Sequence, residues 1–195
     1  MQLHLQGHRG ARGNRPENTF SSIEFAIDCL VDSIETDLHL CADEQVVLFH
    51  DHFFQLAQSK HHFHICEFNL EALQAVFKPV PSKNERFPLQ EFIIGPASEL
   101  FCKRHNLNCW APPTLHQFFD FVDFYAGEEG KEAGKTSAQQ KAAALLCFDL
   151  EIKQLPFLKC KSETIIHIIK NEISKRNSQN RIVLRSFDHT ILKQA

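Results

Sequence analysis

Two stretches of this chain, SIETDLHL (33–40) and LLCFDLEIK (145–153), set apolar residues between acidic ones, and few folds can house such segments. Successive side chains of a β-strand point to opposite faces. Glu35 and Asp37 therefore share one face, while Ile34, Thr36 and Leu38 take the other. In the second stretch Asp149, Glu151 and Lys153 lie together, opposite Phe148, Leu150 and Ile152. The apolar faces need a cover. The acidic faces need water, a counter-charge or a cation, because burying unpaired carboxylates is expensive. A barrel strand meets both demands, with its apolar face under outer helices and its polar face turned inward. The competing reading is an exposed sheet edge on which the acids are merely solvated.

The rest of the chain fits an alternation of strands and helices. LHLQGH (3–8) reads as a short strand entering a glycine-rich loop. A helix should follow, capped by Asn18 or Thr19, with Phe20, Ile23, Ile27 and Leu30 on one face. After SIETDLHL and the turn-like CADE comes a third strand, QVVLFHD (45–51). Residues 52–112 are the least regular part and are expected to form an insertion. They hold SKHHFH and the proline-dotted FKPVPSKNERFPL. A helix starting at Pro113–Thr114 should bury Leu115, Phe118, Phe119 and Val122, and 127–141 reads as a solvated connection. LLCFDLEIK then precedes a helix using Ile165, Ile166, Ile169 and Ile173, and RIVLRSFD (181–188) is a final strand. This order predicts an α/β fold of the (β/α) TIM-barrel type, one domain over 1–195, with about five of the eight strands present. Two unpaired edges would remain, to be covered by a neighbouring copy in a homo-oligomer or by the remainder of a longer product.

Active sites of such barrels lie at the carboxyl ends of the strands. There the chain places Glu35, Asp37 and Glu151, whose all-oxygen chemistry suits a hard divalent ion such as Mg²⁺ or Ca²⁺. His8 and His50 end the first and third strands and should reach the same rim. Two imidazoles flanking a phosphodiester can divide the proton transfers of its cleavage. Arg9 and Lys153 are cations suited to gripping phosphate oxygens. The stretch GHRGARGNRPENTF (7–20) has the character of a loop folded around an anion.

Other features narrow the function. A net charge of −3 with no long basic run gives no nucleic-acid footprint. No apolar stretch approaches the ~20 residues that span a bilayer. Seven cysteines, odd in number and without a Cys-x-x-Cys pair, suggest free thiols and a cytoplasmic location. HHFH (61–64) matches no zinc spacing and reads as a surface loop. HFFQ (52–55) could be a membrane-facing rim, but internal packing is the better reading. GxGxxG and GxxxxGK[ST] are absent, so nucleotide binding has no support.

The ordered set HRG, PENT, IETD with VVLFHD, PTL, EIK and SFD resembles the glycerophosphodiester phosphodiesterases. The resemblance covers 7–51 and 113–188 and is absent through 52–112. It implies a metal-dependent TIM barrel that hydrolyses deacylated phospholipids to glycerol 3-phosphate and an alcohol. On this resemblance His8 and His50 are the acid–base pair, Glu35, Asp37 and Glu151 hold the cation, and Arg9 and Lys153 contact the phosphate. Glu17 and Asn18 match the ENT that orders the site. The chain departs from the family at VDS (31–33) and at HFFQLAQSKHH after His50–Asp51, which leaves the head group open. Two alternatives are a phospholipase C- or D-type enzyme on intact lipid and a catalytically silent truncated barrel.

Overall fold

The computed structural model describes residues 3–55, 61–77, 86–153, 162–176 and 179–194. Its strands are β1 (Gln6–His8), β2 (Ser33–Leu40), β3 (Val46–Leu48), β4 (Phe53–Gln55), β5 (His62–His64), β6 (Cys147–Ile152) and β7 (Ile182–Arg185). Its helices are α1 (Phe20–Asp28), α2 (Leu70–Val76), α3 (Pro96–His105), α4 (Leu115–Ala126), α5 (Glu128–Glu132), α6 (Ser137–Leu145), α7 (Ser162–Lys175) and α8 (His189–Leu192). β1, β2, β6 and β7 form a parallel sheet in that order. Every residue of β2 is buried, as expected of a strand covered on both faces.

The sheet has five strands, but β3 is not one of the parallel set. It pairs antiparallel with the upper half of β2, Leu38 opposite Leu48 and Leu40 opposite Val46. Its short link to β2 explains this, since a parallel return needs a crossover of a dozen or more residues. β1 occupies the lower half of the same edge, with Gln6 opposite Ser33 and His8 opposite Glu35.

The outer face of the sheet carries the main core. Phe148 on β6 meets Phe118 and Phe119 of α4 edge-on, with ring centroids 5.3 and 4.8 Å away. Phe20 of α1 packs on Phe101 of α3 and Phe121 of α4 at 5.2 and 5.3 Å. Both helices begin where their caps dictate. Thr19 accepts from Ser22 N, and Thr114 forms a reciprocal box with Gln117. In α7, Ile165, Ile166 and Ile169 are buried, and Ile173 packs against the same core half-buried.

Several expectations are corrected. Leu30 is not on the α1 face: the helix ends at Asp28, and Leu30 sits half-exposed with φ of 59°. The 127–141 stretch is not a plain connection but holds α5 and most of α6, the latter opened by a Thr136–Gln139 capping box. The 52–112 insertion contains a β4–β5 hairpin, α2 and α3. HHFH is not a loop, since 62–64 form β5, where His62 stacks on Phe53 at 4.5 Å. In HFFQ, Phe54 is buried with Val47, Ile65 and Leu73 in a second apolar cluster, and Phe53 is exposed. Residues 59–60 of SKHHFH, 78–85 of the proline-dotted stretch, and Cys160 lie outside the described residues. The six described cysteines are free. No helix among the described residues is long and apolar enough to cross a membrane.

One buried carboxylate ties the insertion to the sheet layer. Glu24 of α1, 1% exposed, accepts from Ala97 N and Ser98 N at 3.0 and 2.7 Å and pairs with Lys135 at 2.6 Å. The first amides of α3 are thus satisfied by a side chain from another helix. Gly95 precedes them because a Cβ there would collide with that carboxylate. Glu24→Ala would strand two amides and leave Lys135 to Asp28 alone, and it should lower unfolding free energy by about 2–4 kcal/mol in denaturant titrations. A loss below ~1 kcal/mol would show that α3 is held by its apolar contacts alone.

Candidate active site

The inward face of the sheet presents its polar residues in rows. His8, Glu35 and Asp149 face one another across β1, β2 and β6, and Asp37, Glu151 and Arg185 form the next row up. Oxygens of Glu35, Asp37 and Glu151 lie within 4.8 Å of one another. The alternation read in the sequence therefore converges on a single point.

The loop after β1 wraps the lower row. Arg9 and Gly10 both take positive φ, 53° and 74°. A Cβ on Gly10 would collide with Ser22, so only glycine lets the loop press on α1. Ser22 Oγ and Asn18 N donate to the Arg9 carbonyl at 2.8 and 3.1 Å. The fold turns Arg9 inward: its N–H donates to Glu35 at 3.0 Å, Nη1 to Glu17 at 2.9 Å, and Nε lies 3.2 Å from Asp37. Asn18 Nδ2 donates to Asp37 at 3.1 Å and Asn18 Oδ1 accepts from Thr36 at 2.8 Å. Lys153 Nζ reaches Asp37 at 3.0 Å and Glu151 at 2.5 Å.

The charges are strained. Burial, with repulsion from Asp37, pushes the Glu35 carboxyl up to about 7. Its Oε1 is buried without a hydrogen-bond partner among the described residues. Burial works against the Lys153 ammonium, but its contacts with Glu151 and Asp37 outweigh this and raise its pKa. Burial, then Arg12 and Arg9, lower that of His8, whose Nε2 stands 3.5 Å from Glu35. A partnerless buried oxygen beside two more carboxylates fits a hard divalent cation.

The β2–β3 hairpin returns His50 toward this point. Phe49 N donates to Asp37 O at 2.9 Å, and the next residue, His50, has Nδ1 2.6 Å from Asp51. Sequence reasoning singled out neither Asp51 nor His39. His39 continues the Glu35–Asp37 face, is buried, and places Nε2 3.4 Å from the His50 carbonyl. Burial drops its pKa to about 4. The face-sharing rule that found the acids applies equally to His39. Asp149 lies below the cluster, paired with Arg185 at 2.6 Å and Gln6 at 2.8 Å. A pocket of about 400 Å³ opens beside Glu151, lined by Arg185, Ser186, Phe187 and His189 among others.

The sequence profile of the "glycerophosphoryl diester phosphodiesterase family" matches residues 8–195. A glycerophosphodiester phosphodiesterase of Haemophilus influenzae is 29% identical over 140 residues, covering 66% of this chain and 35% of its own. A Silicibacter pomeroyi structure superposes with a TM-score of 0.75 at 21% identity, covering 98% of this chain and 60% of that one. An Oleispira antarctica phosphodiesterase in complex with the product sn-glycerol-3-phosphate gives 0.62 at 18% identity, covering 99% and 61%. The fold is thus of the TIM-barrel type these structures share. The chain spans about a third of the curated relative and three fifths of the solved ones.

Proposed function

The chain belongs to the glycerophosphoryl diester phosphodiesterase family, and we propose that it hydrolyses glycerophosphodiesters to glycerol 3-phosphate and an alcohol. The observation that carries this is the meeting of Glu35, Asp37 and Glu151 within 4.8 Å on β2 and β6, beside His8 at the end of β1 and Lys153 just after β6. These three carboxylates would hold Mg²⁺ or Ca²⁺, which supplies charge neutralisation at a phosphoryl oxygen.

The remaining steps belong to the chain itself. Arg9 engages carboxylates through Nη1 and Nε, and Nη2 is left to donate to a phosphate oxygen. Lys153 adds a second positive charge to the same pole. Asp51 accepts from His50 Nδ1, which leaves Nε2 to exchange a proton. His8 and His50 act as the pair, one withdrawing a proton from the attacking water as its oxygen bonds to phosphorus and the other protonating the alkoxide that departs as the P–O bond to the alcohol breaks. Glu17 and Asn18 hold Arg9 and Asp37 in place. The unit doing this is one barrel-type domain over 1–195 with 52–112 inserted, and the free thiols favour a cytoplasmic setting.

The test is release of glycerol 3-phosphate from glycerophosphocholine and glycerophosphoethanolamine, with Mg²⁺, with Ca²⁺ and with a chelator. Release in one ion that the chelator stops is the expected result. Folded protein that releases none in either ion overturns the proposal. Phe187, 90% exposed and above Lys153, favours a second reading in which the substrate keeps an acyl chain. Lysophosphatidylcholine in the same assay decides between the two.

A further inference from the structure

The cations around this site are not equivalent. Arg9 is held by Glu17 and Asp37, Lys153 by Asp37 and Glu151, and Arg15 by Glu91 at 2.8 Å. Arg12 stands in the same loop yet pairs with no carboxylate among the described residues. Its guanidinium instead lies over the Phe87 ring, 5.1 Å from the centroid, and Arg86 lies over the same ring at 5.6 Å. This placement is braced. Gln90 Nε2 donates to the carbonyls of Arg12 and Arg15 at 2.7 and 3.0 Å, and Glu91 N donates to Asn14 O at 2.9 Å. A segment some 75 residues away in sequence is therefore folded back to hold the backbone of this loop, and its Phe87 seats the Arg12 guanidinium.

Arg12 also belongs electrostatically to the site. His8, Arg9, Glu17 and Glu35 all feel or act on its charge. Burial, then the like charge of Arg9, lower its pKa against the opposing pull of Glu17. A guanidinium stacked on a ring keeps its N–H edge available, and that edge matches two phosphate oxygens at once. The reacting phosphate already has Arg9 and Lys153.

We propose that Arg12, braced on Phe87, is a specificity-determining residue that selects glycerophosphodiesters whose alcohol carries a second phosphate. This rests on the activity proposed above and deepens it by naming the head group. The 52–112 insertion supplies the brace through Phe87 and Gln90.

Calorimetric binding, with and without Ca²⁺, of three probes tests it: bis(glycerophospho)glycerol, glycerophosphoglycerol and glycerophosphocholine, whose alcohols are anionic, neutral and cationic. The anionic probe should bind at least about tenfold more tightly than the neutral one, the worth of a charge-assisted hydrogen bond. Arg12→Gln should close that gap through lost affinity for the anionic probe, and Arg12→Lys should restore part of it. An anionic probe that binds no more tightly than the neutral one in either condition, or a gap that survives Arg12→Gln, overturns the proposal. Glycerol 3-phosphate release without an Arg12-dependent gap defeats this inference alone. A gap without any release defeats the proposed activity and leaves Arg12 as an anion-selecting residue.

Discussion

Glu35→Gln should abolish glycerol 3-phosphate release and reduce divalent-ion affinity by more than about 100-fold, since even an outer-shell partner of a bound ion is worth 10- to 100-fold. The variant should fold. Glu35 accepts from Arg9 N on Oε2, and an amide oxygen can accept there equally well. What changes is charge. In wild type, burial and Asp37 raise the carboxyl from 4.5 to about 7, so the native state without an ion holds the proton more tightly than the unfolded chain does. A group shifted in this direction gives stability that is full below pH 4.5 and is lost as pH rises through about 7. Thermal melts in chelator should therefore show wild type losing stability across that window and Glu35→Gln losing less. In Mg²⁺ or Ca²⁺ wild type should gain melting temperature by mass action, and the variant should not. An equal gain in both would remove Glu35 from the set of ion ligands.

His50→Ala should separate the two roles. Its imidazole nitrogen is committed to Asp51 at 2.6 Å, and His50 is not among the carboxylates that cluster within 4.8 Å. Ion-induced stabilisation should be nearly that of wild type, while turnover falls by about 10²–10⁴, the range for a lost acid–base group. The loss should appear in kcat more than in KM, because a proton transferred in the transition state contributes little to ground-state binding. Equal loss of ion affinity would make His50 a ligand.

The acidic cluster was legible because strand alternation is strict: once β2 and β6 are strands, Glu35, Asp37 and Glu151 have one face to share. The apolar stripes of α1 and α4 were legible for the same geometric reason at helical period. α3 was not, because Lys103, Arg104 and His105 follow its buried Phe101 and Cys102 and blur the period. α5 and α6 were hidden by charge and small residues, although Thr136 and Gln139 carried a start signal. The direction of β3 lay in the brevity of its turn rather than in its own residues. The bracing of Arg12 on Phe87 was beyond reach, because a contact across 75 positions leaves no trace in local pattern.

β1 and β3 share one edge of β2, and this makes a single strand the calliper of the site. His8 is positioned opposite Glu35, and His50 follows the residue bonded to the Asp37 carbonyl. The backbones that carry the two histidines are therefore anchored at marks two residues apart on one strand, about 7 Å at strand rise. Shear between β2 and β6 would displace Glu151 yet leave His8 and His50 in register with β2. Lengthening the turn between β2 and β3 would shift His50 and leave the carboxylates untouched.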